Sequence, residues 1–254
     1  MKQISIQSVI LTLGLASTMF GITEKHVPAV GKLDTSFVYS KGSYGLAQDT
    51  DVSVVLLSPS VEADGWRLKA AIPYVHLHGP ATVVGTPGSV PATRSAQGWG
   101  DMSVSAGRKI ELNKHGLSAE LSAKVKFPTA DQVKGLGTGE VDSSAQVEIV
   151  KGGGKLTPFG TLGYQVRGHN PSYPMKDGAF AAAGVAGKVS AKTVMGVTGN
   201  WRQPIVAGGK SAFEGLAFVQ RKFSPHTRIQ AFALHGFTDA SPKLAIGVTL
   251  GYTL

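Results

Sequence analysis

Seven histidines, no cysteine and a surplus of lysine and arginine make up most of the reactive inventory of this 254-residue chain. Without a thiol there is no disulfide framework, no thiolate zinc site and no cysteine nucleophile. His76 and His78 stand two apart, which on a strand puts both imidazoles on one face. A metal site needs three or four ligands and no third is near in sequence, so they read as rim histidines and no metal is expected. Gly135-Leu136-Gly137-Thr138-Gly139 has the glycine density of a phosphate loop but not its spacing, and no GK[ST] follows. It reads as a flexible loop. Serines are plentiful, but no G-x-S-x-G elbow marks one as a nucleophile, so no catalytic residue and no cofactor is assigned.

The remaining chemistry lies in charge. Lys and Arg total 25 against 16 Asp and Glu, a formal net of +9. These cations are spread singly rather than clustered, and no helix-turn-helix, zinc finger or aromatic RNA-binding signature accompanies them, so nucleic acid is not an expected partner. Many alternate with apolar residues. Lys124 and Lys126 fall between Ala123, Val125 and Phe127, and Arg67 and Lys69 between Trp66, Leu68 and Ala70. Such residues carry chemistry only if the chain places them on one face.

The elements that do so are strands. Glycine, 33 residues, is nearly twice as frequent as its usual share of roughly 7% and disfavours helices. Period-two alternation recurs along the chain, most plainly where Leu244, Ile246, Val248, Leu250, Tyr252 and Leu254 alternate with small or polar residues. The pattern predicts twelve strands, near 31–40, 49–58, 65–77, 99–111, 117–127, 140–150, 155–167, 178–188, 192–202, 211–223, 226–236 and 243–253. Three of these alternate weakly: 178–188, 211–223 and 226–236. Most run to about ten residues, the length that crosses a bilayer at a tilt near 45°, where ordinary strands average about 5–6. Long connections (78–98, 128–139, 168–177) alternate with tight ones (113–116, 152–154, 190–191, 224–225). That parity belongs to an outer-membrane barrel with short periplasmic turns and longer extracellular loops. A soluble β-sandwich needs neither the strand length nor the parity. Residues 1–21, one cation and then an uncharged apolar run, read as a secretory signal whose cleavage falls between 21 and 29. The expected domain is a single antiparallel transmembrane β-barrel over 30–254.

If the apolar face meets lipid, the opposite face lines the lumen. It would carry Arg67, Lys69, Lys109, Lys124, Lys126, Lys155, Arg167, Arg202 and Lys243 against Asp101, Glu111, Glu120, Asp142 and Glu148. A lumen with surplus positive charge concentrates anions. The candidate solute-binding residues are Arg67, Lys69, Glu120, Lys124, Lys126, Lys155, Arg167 and Arg202. Two other roles stay open: interior cations pairing with acids to fill a small barrel, or surplus cations meeting lipopolysaccharide phosphates. Trp66, Tyr74, Trp99, Tyr164, Trp201 and Tyr252 fit interfacial girdles.

Gly100-Asp101, the run Lys126-Phe127-Pro128-Thr129-Ala130-Asp131 with Gly135 to Gly139 and Asp142, and the closing stretch Leu234 to Pro242 resemble the meta-pathway phenol-degradation family of Gram-negative outer-membrane proteins. The likeness covers roughly residues 30–254. It implies a transporter-like β-barrel associated with uptake of aromatic or other apolar compounds. The terminal Leu254 departs from the aromatic residue that ends many barrels. The expected function is passage of small organic molecules, aromatic or anionic, across the outer membrane, with membrane lipid and lipopolysaccharide as partners. The alternatives are a structural or adhesive barrel with a closed lumen and, less favoured, an outer-membrane lipid hydrolase.

Overall fold

The computed structural model describes residues 29–44, 47–80, 94–169 and 175–254. The expected signal segment and most of the connection 78–98 lie outside the described residues. There are thirteen strand segments: β1 (Val30–Gly42), β2 (Thr50–Ala63), β3 (Trp66–Gly79), β4 (Arg94–Trp99), β5 (Ser103–Glu111), β6 (Leu117–Lys126), β7 (Asp142–Lys151), β8 (Leu156–Val166), β9 (Gly178–Ser190), β10 (Thr193–Arg202), β11 (Ala212–Lys222), β12 (Thr227–Gly236) and β13 (Leu244–Thr253).

β4 and β5 make one stave between them. β4 pairs with Tyr74–Gly79 of β3 and β5 with Trp66–Ala71, while the Gly100 amide still donates to the Pro73 carbonyl at 2.8 Å across the break. Every neighbour is antiparallel, and β1 pairs both β2 and β13, so the sheet closes on itself as the twelve-stranded barrel expected. Closure leaves no sheet edge, the condition for backbone in lipid, where no water could satisfy an unpaired amide or carbonyl.

Alternation sorts the side chains. Leu33, Phe37, Val55, Leu57, Leu121, Ile149, Leu162, Val197, Ile246, Val248 and Leu250 face outward and are exposed, which no soluble domain of this size would tolerate over a continuous band. Aromatic residues border the band. At the tight-turn end Arg108 lies over the Trp66 ring at 5.0 Å and His226 packs beside Tyr252. At the loop end Tyr74 meets Trp99 edge-on at 5.3 Å and Phe213 stacks on Phe237. Trp66 and Tyr74 are eight residues apart on β3, about 26 Å along the strand at roughly 3.3 Å per residue. Once tilted, that span suits the apolar thickness these barrels present. The fold therefore places the chain in the outer membrane.

The interior is not uniformly polar. Val38, Val52, Val54, Leu56, Val75, Leu77, Leu216, Phe218, Phe232 and Leu234 form one buried apolar cluster across the lumen. The buried rings of the interior depend on glycine. Phe159 stands opposite Gly184, Phe180 opposite Gly163, Phe218 opposite Gly196 and Phe232 opposite Gly247, each in register on the neighbouring strand. A β-carbon on any of these glycines would lie 2.2–2.6 Å from the opposing ring. The missing side chain lets each ring lie flat against the barrel wall.

Candidate functional site

Between this apolar cluster and the tight-turn mouth lies a chamber of about 360 Å³, bordered at the mouth by Ser224, Pro225 and His226. That volume is in the range of small-molecule sites, about 300–1,000 Å³. Inward positions of β1–β3, β5–β7 and β11–β12 line it. Their polarity follows from sequence: where the outward residues are Leu121, Ala123 and Val125, the inward ones are Glu120, Ser122 and Lys124.

Part of its charge is compensated. Arg228 of β12 reaches across Gly251 of β13 and donates to both Asp34 carboxylate oxygens of β1, at 2.6 and 2.7 Å. Lys32 pairs with Glu62 at 2.5 Å. Arg67 joins Glu62 at 2.9 Å and Glu120 at 3.1 Å, passing over Gly107. Outside the chamber lining, toward the β5–β6 turn, Lys109 pairs with Glu111 at 2.7 Å. Lys69 and Lys124, which also line the chamber, have no acid within ion-pair distance among the described residues. The ladder sets them in one row, Lys32–Ser60–Lys69–Ser105–Lys124–Ser144, so lysine and serine alternate across six strands.

The other predicted site residues go elsewhere. Lys126 bounds the opposite side of the interior and is committed: its ammonium group contacts Asp101 at 2.8 Å, Asp142 at 3.1 Å and the Thr138 hydroxyl at 2.9 Å. Lys155 is exposed in the β7–β8 turn, because its inward parity comes before the strand has begun. Arg167 is buried at the loop end, donating to Gln165 at 2.9 Å and to the Lys176 carbonyl, which fixes the β8–β9 connection rather than a lumen solute. Arg202 faces inward as expected, but beyond the apolar cluster. It borders a separate cavity of about 40 Å³ with Tyr44 and Ala212, and one of its guanidinium nitrogens is without a partner among the described residues. Lys243 lies on the loop surface with Asp49 at 2.7 Å. Of the eight candidates, Arg67, Lys69, Glu120 and Lys124 meet in one chamber.

The glycine-rich run is not a flexible loop. Residues 135–138 are buried, and Leu136 joins the interior apolar cluster. Asp101 accepts from the Ala130 amide at 3.1 Å, Thr129 donates to the Gly100 carbonyl at 3.1 Å and accepts from the Met102 amide at 2.9 Å, and Asp142 accepts from the Gly168 amide at 3.0 Å. A β-carbon at Gly137 would lie 2.6 Å from both Ala130 and Asp101. The β6–β7 connection is thus folded into the loop-side mouth and latched by Lys126. Of the stretches that carried the family resemblance, the one from Gly100 to Asp142 builds the latch.

On the outer face, Ser95 and the ring of His76 lie 3.3 Å apart. Among the described residues His76 has no further side-chain partner, and no group of three metal-ligating side chains occurs among them.

A family model described as "Putative MetA-pathway of phenol degradation" matches residues 36–254. The chain belongs to that family. In architecture it is similar to the NanC porin (12% identity, TM-score 0.57, 87% of this chain and 100% of that one) and to the KdgM porin (8%, 0.56, 87% and 98%). It is also similar to the translocator domain of the autotransporter NalP from Neisseria meningitidis (12%, 0.54, 97% and 95%). At these identities the likeness is one of fold. No curated protein matches the chain.

Proposed function

We propose that this family member is a porin-like channel that passes small organic molecules across the outer membrane, favouring anions. The observation that carries the reading is the chamber of about 360 Å³ inside a closed, lipid-facing barrel, reaching the tight-turn mouth and lined by lysines that its acids do not neutralise. Low-dielectric walls around such a surplus raise the local anion concentration. Family membership supports aromatic compounds as cargo, and the similar KdgM porin has been solved in complex with disordered oligogalacturonate. Passage requires the latched β6–β7 connection and the ring cluster above the chamber to yield, so flux is slow or gated rather than freely diffusive.

The reversal potential of refolded protein in a planar bilayer across a salt gradient tests this. Anion-selective current that benzoate carries or blocks is expected. Protein shown to be folded that carries no current at any voltage would overturn the channel reading. It would favour a closed structural barrel, the reading that the apolar cluster and the buried Leu136 support. Among the described residues, the outward Ser95–His76 contact is the feature a lipid hydrolase could use. It lacks a bonded third partner among the described residues, and a fluorescent phospholipid assay with Ser95→Ala separates that reading from the first.

A further inference from the structure

Interior charges in a small barrel are expensive to leave uncompensated, and this barrel pairs some of the cations that line its chamber with acids but not others. Lys32, Arg67 and Arg228 each hold a carboxylate, and Lys126, beyond the chamber, holds two. Lys69 and Lys124 are exceptions, and their placement is not random. They stand two strands apart in one register row with Ser105 between them, a separation of about 10 Å at roughly 4.8 Å per strand. Four-carbon stems from these two positions are long enough to reach a single point above Ser105. Ser103, Ser122 and Ser144 add hydroxyl donors around it, and Leu56 and Ala71 supply an apolar wall on the side toward the ring cluster. Two cations, several hydroxyls and one apolar wall within a chamber of this size are the parts that recognise an anionic head on an apolar body.

We propose that Lys69 and Lys124 form a binding site for the carboxylate of a small organic acid inside the chamber. The Ser105 hydroxyl lies beneath the carboxylate, and the apolar body points toward Leu56 and Ala71. The proposal rests on reading the barrel as a passage for organic solutes, and names the chemical class that passage retains. A carboxylate held by both lysines supplies them with the acid that Lys32, Arg67 and Arg228 already have.

The experiment is calorimetric titration of benzoate into the full-length folded barrel in detergent, with chloride and the neutral isostere benzamide as comparisons. Wild type is expected to bind benzoate and not benzamide. Lys69→Met and Lys124→Met should each weaken benzoate roughly tenfold or more, the weight of one charge-assisted hydrogen bond. The paired Lys69→Arg, Lys124→Arg variant should retain binding, and Lys243→Met on the loop surface should match wild type. Retention of full benzoate affinity by the double methionine variant, with heat-modifiable migration showing it folded, would overturn the site. So would equal displacement by chloride at the same concentration. Binding is read without current. Lysine-dependent binding in a non-conducting barrel keeps the site and removes the channel reading, whereas conduction with lysine-independent binding does the reverse.

Discussion

Gly251 shows how single residues shape this interior. It lies in register between Asp34 of β1 and Arg228 of β12, and a β-carbon there would come within 2.7 Å of both the Asp34 carboxylate and the Arg228 guanidinium. The glycine therefore lets an ion pair reach across the strand that closes the barrel. Gly251→Val should lower folding stability by about 1–3 kcal/mol through overpacking. Arg228→Leu should cost a similar amount by stranding a half-buried carboxylate. In the Arg228→Leu background the valine should cost less, because one of the two side chains it strikes is gone. Urea refolding midpoints into lipid vesicles give the cycle, and additive costs would show that the glycine serves some other purpose. The same logic applies at Gly247, where leucine should displace the Phe232 ring from the wall and cost about 1–3 kcal/mol.

Among the elements, the β6–β7 connection is the one the structure re-reads. Its glycines and its flanking proline and threonines look mobile in sequence, but Asp101 sits 37 residues before Thr138, and nothing local announces that both meet Lys126. Lys126→Met would leave Asp101 and Asp142, both nearly inaccessible, without their cation. The connection should then come out of the mouth. Limited proteolysis between Asp131 and Glu140 should quicken and single-channel conductance should rise, while unchanged proteolysis would mean that Leu136 alone holds it. Strand positions were legible because alternation is local: the run from Leu244 to Leu254 specifies both a strand and its lipid face. It weakened at 211–223 and 226–236 for a physical reason. There Leu216, Phe218, Phe232 and Leu234 make the inner face apolar as well, so nothing alternates. The chamber was half legible. Parity put Arg67, Lys69, Glu120 and Lys124 inside, but register decides which charges neutralise each other, and register joins residues as distant as Asp34 and Arg228, 194 positions apart.

For the molecule as a whole, closure with an even number of staves puts the start of β1 and the end of β13 at one rim, together with the tight turns. The longer connections gather at the other rim. Two chemistries then face the two compartments: a wide polar chamber behind the tight turns, and a latched, largely apolar constriction behind the loops. A passage built this way meets its solute differently from each side, and its orientation decides whether the lysine chamber captures a solute before or after the constriction. In barrels of this kind short turns face the periplasm, which puts the constriction at the cell surface and the chamber on the inward side. The chain has no native cysteine, so single introduced thiols report orientation without background. Val133, 93% exposed in the β6–β7 connection, should as Val133→Cys be labelled by a membrane-impermeant maleimide on intact cells. Lys114→Cys, in the tight turn between β5 and β6, should be labelled only after the outer membrane is permeabilised. The opposite pattern would invert the barrel, and a solute arriving from outside would then meet Lys69 and Lys124 before any constriction.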